Sequence, residues 1–118
     1  MRTIKAEPIT YESYAPFGTF YNMTEPSGYS LNGEIHRFFP DRMTESYVSR
    51  AAFSPILVKK PAVMKITQAE YHTTTPEIIL PLNDDMIIHV APASAGTPVP
   101  ELTKAFLVPK GTLVKINS

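Results

Sequence analysis

Proline limits what this chain can become more than any other residue. Twelve of the 118 residues are proline, roughly twice the usual share of about 5%. A proline ring fixes φ, removes a backbone donor and breaks helix interiors, yet it is tolerated at strand edges, turns and bulges. Long helices are therefore excluded, and an all-β domain of short strands is predicted. One brief helix fits near the start. Thr10 is placed to cap Tyr11–Phe17, Pro16 limits its length and Gly18 stops it. Tyr14 and Phe17, three apart, share the side of that helix expected to be buried.

The remaining periodicity is that of strands. Ile4–Ile9 opens the chain as an extended segment, and Phe20–Thr24 follows the helix. Asn32-Gly33 predicts a two-residue type I′ hairpin joining Tyr29–Leu31 to Glu34–Phe39. Tyr47–Val58 reads as extended, interrupted at Pro55. The stretch Val63–Val90 predicts three successive strands of a small barrel: Val63–His72, Glu77–Leu82 and Met86–Val90. A proline-rich loop over Ala91–Pro100 leads to a strand at Leu102–Val108. A tight turn at Pro109-Lys110-Gly111-Thr112 and a last strand from Leu113 to Ile116 complete the chain. The pattern predicts one domain over residues 1–118, a β-sandwich or a barrel of jelly-roll type.

The totals exclude several functions. Eleven basic and eleven acidic residues cancel, leaving no field to attract nucleic acid or an acidic membrane surface. The absence of cysteine excludes disulfides and thiolate metal sites. No apolar run approaches the roughly 20 residues of a membrane span, and the polar start carries no secretory signal pattern; a cytoplasmic location is expected.

Chemistry concentrates in one place. As a strand, Val63–His72 puts Met64, Ile66, Gln68, Glu70 and His72 on one face, because side chains alternate with a period of two. A carboxylate and an imidazole then project side by side at the end of an apolar row.

Four segments resemble the ureidoglycolate lyase family: I-T-Y-E-S-Y-A-P-F-G (9–18), I-H-R-F-F (35–39), A-E-Y-H-T-T-T-P-E-I-I-L-P-L (69–82) and P-E-L-T-K-A-F-L-V (100–108). The resemblance implies an all-β, cupin-like barrel of jelly-roll type with one short N-terminal helix. It also implies a homodimer and release of urea from ureidoglycolate to leave glyoxylate, a step in allantoin and purine nitrogen catabolism. By position, Glu70 and His72 match the family's Glu-x-His, and Arg37 its Arg-aromatic patch. Asn117 stands where the family tends to carry a histidine. The family continues into a Trp-His pair, so a C-terminally shortened member is expected.

On this reading His72 is the base, since imidazole titrates near neutrality. Glu70 orients it or carries the second proton, and Arg37 grips the carboxylate of a small hydroxy-acid substrate through paired N–H donors. Glu77 and Asn117 complete the substrate contacts. The scheme needs no cofactor. An alternative uses the same residues: Glu70-x-His72-x4-Glu77 resembles the His-x-His…Glu motif of metal-dependent cupins, with Glu replacing the first His, and imidazole plus carboxylate suits a divalent first-row metal. Non-catalytic readings stand beside both. Glu77 fits a solvent-facing strand start, Arg37 an ion pair with Asp41 or Glu34, and His36 and His89 structural positions. The methionines fit core filler, Lys59-Lys60 a solvated turn, and the whole a small-acid-binding barrel.

Overall fold

A computed structural model of the chain describes residues 2–28, 31–47, 50–94, 97 and 99–118. The first strand, β1 (Ala6–Pro8), gives way to a four-residue helix, α1 (Tyr11–Tyr14). The Ser13 backbone N–H donates to Thr10 Oγ1 at 3.1 Å, and the Thr10 N–H donates back to Ser13 Oγ at 3.3 Å. This reciprocal cap satisfies two donors that a helix start leaves unpaired. The helix stops at Tyr14, three residues short of the predicted end: Ala15 keeps helical dihedrals, and Pro16 has no N–H with which to continue the ladder. Tyr14 and Phe17 are both buried, as their spacing predicts.

Seven further strands follow: β2 (Gly18–Asn22), β3 (Leu31–Asn32), β4 (Arg37–Phe38), β5 (Glu77–Ile79), β6 (Met86–Val90), β7 (Lys104–Val108) and β8 (Thr112–Ile116). A short 3-10 turn at Pro100–Leu102 precedes β7. One three-stranded sheet has the order β1-β7-β6, a second the order β2-β8-β5, and β3 pairs with β4 alone. All pairs are antiparallel except β1 with β7. The all-β fold with one short helix near its start is the predicted class. Among the described residues no ladder joins the two larger sheets into a closed barrel.

The core lies between those sheets. Ile88, Val90, Phe106 and Val108 face it from one layer, and Val114 from the other, with Phe20 and Ile116 packed against it. Tyr14 and Phe17 plug one end. The Tyr14 ring meets Phe106 edge-on at 5.4 Å, a favoured aromatic geometry, and its hydroxyl donates to the Lys115 carbonyl at 3.1 Å. Gly18 is required by proximity: a Cβ there would run into the Lys115 carbonyl across the β2–β8 ladder.

The turn after β7 is the one predicted, with the Thr112 N–H donating to the Pro109 carbonyl at 3.1 Å and Gly111 at φ 81°. It does not make a hairpin. β7 and β8 belong to different sheets, so this turn is a corner that carries the chain from one layer to the other.

Three expectations are corrected. The β3–β4 hairpin pairs Asn32 with Arg37, leaving Gly33 to His36 as a four-residue loop, closed by the Gly33 N–H on the His36 carbonyl at 2.9 Å. Asn32 stays in the ladder and does not take the positive φ of a type I′ turn; residues 29 and 30 of the predicted partner strand lie outside the described residues. The described part of Tyr47–Val58 forms no strand. Nor does Val63–His72, although its alternation is regular. A strand exists as part of a ladder, and no described residue pairs with this one.

Apolar side chains along 53–66 consequently lie uncovered. Phe53 and Leu57 are each 94% exposed, and Met64 and Ile66 lie outside the core expected to hold them. The radius of gyration of 16.1 Å exceeds the roughly 13–14 Å of a compact domain this long, in keeping with so long an uncovered strap.

Candidate functional site

The site forms at one end of the two sheets, where several chain segments meet. The C-terminal end of β8 is gripped on both sides: Ile116 lies opposite Gly18 of β2 and opposite Glu77 of β5. One residue on, the Asn117 N–H donates to the Phe17 carbonyl at 2.8 Å, which fixes Asn117 beside the start of β5. Glu77 is thus placed by its ladder and Asn117 by a backbone bond.

His72 and Glu70 arrive by another route. They belong to the irregular segment before β5, and the chain bends at Thr73-Thr74. That bend returns Glu77 toward His72. His72 Nε2 lies 3.7 Å from Glu77 Oε2 and 3.9 Å from Glu70 Oε1. Strand alternation predicts the Glu70–His72 pair; the structure makes that pair through a loop and adds Glu77. The added carboxylate is the nearer of the two and the less exposed, 42% against 81% at the side chain. Glu77 is therefore better placed than Glu70 to orient the imidazole, and its solvent-facing reading gives way to one at the mouth of a cavity.

That cavity is open and holds about 1180 Å³, somewhat more than the ~300–1,000 Å³ of small-molecule sites. Gln68 to Thr73 form one wall, with Glu77 and Asn117 beside them; Thr103, Val99 and the segment His89–Ser94 form another. Glu70, His72, Glu77 and Asn117 are thus brought together. Arg37 is not. It sits on β4 and lines a separate hollow formed by the hairpin residues Asn32 to Arg37. His36 belongs to that hollow as well.

His89 is the residue that sequence reasoning assigned to structure and that the fold puts in the cavity wall. Its signal was present: on β6 the buried residues are Ile88 and Val90, so His89 between them faces away from the core.

The donor set can also be tested against a metal ion. One oxygen each from Glu70 and Glu77 and a ring nitrogen of His72 lie within 4.8 Å of one another. Ligand atoms around an ion at ~2.0–2.2 Å sit about 3–4 Å apart, so small side-chain rotations would bring these three to coordinating distance. The set fits a divalent first-row cation through one imidazole and two carboxylates. Among the described residues no helix is long and apolar enough to cross a membrane.

Comparison with known proteins agrees with the resemblance in the sequence. The chain is 32% identical over 114 residues to the ureidoglycolate lyase of Pseudomonas paraeruginosa strain DSM 24068 / PA7. It is 31% identical over 114 residues to the ureidoglycolate lyase of Pseudomonas aeruginosa strain LESB58. Each alignment takes in 91% of this chain. No family model matches the chain, and no solved structure matches it. Over nearly all of its length this chain is similar to ureidoglycolate lyases, and it spans 66% of the length of the curated relatives it matches.

Proposed function

We propose that this protein is a ureidoglycolate lyase-like enzyme that takes a small hydroxy acid, ureidoglycolate, and releases urea to leave glyoxylate. One observation carries the reading: the segment that resembles the lyases around Glu70 and His72 folds so that His72 lies between two carboxylates at the mouth of a cavity. The substrate bears its hydroxyl and its urea nitrogen on the same carbon. A base removes the hydroxyl proton, the oxygen's electron pair forms the carbonyl, and the carbon–nitrogen bond breaks. The departing nitrogen takes a proton, so glyoxylate and urea account for every atom and no water is consumed.

His72 is the proposed base, because a neutral imidazole accepts a proton near neutral pH. Glu77, the nearer carboxylate at 3.7 Å, is the group proposed to orient the ring. Glu70, open to water, is the proposed route by which that proton reaches the leaving nitrogen. Asn117, fixed beside the start of β5, offers its amide to the substrate.

A second reading is favoured by the ligand distances among Glu70, His72 and Glu77. These residues would hold a divalent cation, which when bound would polarise a substrate oxygen as a Lewis acid. In either case the assay is urea release from ureidoglycolate by the purified chain, with and without added divalent metal. We expect His72→Ala to lower turnover by about 10²–10⁴-fold, the usual contribution of a positioned acid or base. Its unfolding midpoint should stay close to the parent's, since the side chain is 45% exposed. No urea in either condition refutes the lyase reading, and turnover within a few-fold of the parent removes His72 from the role of base.

A further inference from the structure

The elimination above leaves the substrate carboxylate without a receiving group. Arginine was the expected one, and Arg37 lines a different hollow. Among the described residues of the cavity wall there is no lysine or arginine. Glu70 and Glu77 repel an anion, and His72 already lies against both of them. The second imidazole in the wall is His89.

Three features make His89 suitable. β6 holds it rigidly, paired with Ala105 on β7, with Ile88 and Val90 anchored in the core on either side. Its ring is exposed to the cavity and has no hydrogen-bond or ion-pair partner among the described residues. Neutral donors line the same cavity: the Thr103 hydroxyl, one residue before β7, and the Asn117 amide. An imidazole N–H bonded to a carboxylate is a charge-assisted hydrogen bond, stronger than one between neutral groups.

We propose that His89 is the carboxylate-receiving residue of this cavity and that the ligands it selects are small α-hydroxy acids; the assignment of ureidoglycolate as that acid rests on the lyase reading. The wall is then divided by charge. His89 and Thr103 take the acid end, and the Glu70–His72–Glu77 group, with Asn117 beside it, meets the carbon that reacts. His89 is a binding residue here and takes no part in proton transfer.

The test uses the full chain and two nearly isosteric probes, glycolate and glycolamide, which differ in the carboxylate alone. NMR of the imidazole C–H signals reports each histidine separately. Glycolate should shift the His89 signals saturably and glycolamide should not. His89→Gln should weaken glycolate binding by about 10-fold or more, the size of one lost charge-assisted bond. Its unfolding midpoint serves as the control for folding. In turnover the same variant should raise KM for ureidoglycolate by a similar factor with kcat within about 3-fold, the signature of lost uniform binding. Absence of saturable glycolate binding, glycolate binding that leaves the His89 signals unmoved, or parental affinity in His89→Gln would overturn the proposal. The two readings fail separately: a parent that binds glycolate through His89 and releases no urea sinks the lyase assignment alone, and one that releases urea with His89 unmoved sinks this one.

Discussion

Replacing Tyr14 by phenylalanine removes one oxygen from a fully buried residue and leaves the rest of its packing in place. The ring contacts with Phe17, Phe20 and Phe106, at 5.9, 6.1 and 5.4 Å between centroids, do not involve the hydroxyl. What is lost is the bond to the Lys115 carbonyl at 3.1 Å, which ties α1 to the last strand. A neutral hydrogen bond of this kind contributes about 0.5–1.5 kcal/mol net. Tyr14→Ala removes the ring as well and leaves a hole among three aromatics, which costs about 3–5 kcal/mol. Urea unfolding monitored by circular dichroism separates the two variants: with a slope of about 1–3 kcal/mol per molar, the phenylalanine midpoint falls by roughly 0.5 M and the alanine midpoint by several times that. Burial also pushes the Tyr14 hydroxyl well above its ordinary value of 10.0. A group whose folded value is raised stabilises the fold below its unfolded value and loses that contribution as pH climbs past it. The parent should therefore lose stability above about pH 10 more steeply than Tyr14→Phe. A phenylalanine variant as costly as the alanine one, or one with no cost and an unchanged alkaline slope, would refute the account of this residue as ring packing plus one anchoring bond.

Three further outcomes follow from particular atoms. The Thr112 hydroxyl is buried at 1% exposure with no hydrogen-bond partner among the described residues, so Thr112→Val should raise the unfolding free energy by about 0.5–1 kcal/mol, since an unpaired buried hydroxyl costs on the order of 1–3 kcal/mol. Gly18→Ala should destabilise by more than about 2 kcal/mol, as expected of a forced backbone shift, because its Cβ would meet the Lys115 carbonyl; equilibrium unfolding checks both. Brief trypsin digestion followed by mass spectrometry should cut first after Arg50, Lys59 and Lys65 in the uncovered strap, and much later after Lys104 and Lys115 in the sheets.

What the sequence revealed and what it hid divide along one line: local signals were legible, and choices among partners were not. The Thr10 cap, the Gly111 turn and the strands at β5, β6, β7 and β8 each announce themselves within a few residues. Which strand lies beside which is settled by packing. Nothing local tells Glu77–Ile79 to join Thr112–Ile116, or sends β7 and β8 to different layers. Val63–His72 shows the converse: its alternation is that of a strand, yet alternation describes a face and supplies no neighbour. The site followed the same rule. Glu70 and His72 are close in sequence and were expected together; Glu77, expected with them from the resemblance, reaches them through the bend at Thr73-Thr74, and His89 needed the β6–β7 ladder to put it across the cavity.

The corner at Pro109-Lys110-Gly111 has a mechanical consequence. It ties the two layers together where β7 ends and β8 begins. The cavity lies at the other extremity, by the first residues of β7 and the last of β8. That extremity carries a second tie: the Asn117 N–H on the Phe17 carbonyl and the Tyr14 hydroxyl on the Lys115 carbonyl hold β8 to the segment around α1, whose rings pack on Phe106 of β7. The hollow is therefore built beside a braced strand end, and exchange of backbone amide hydrogens along β8 should be slow near Ile116 as well as near Thr112.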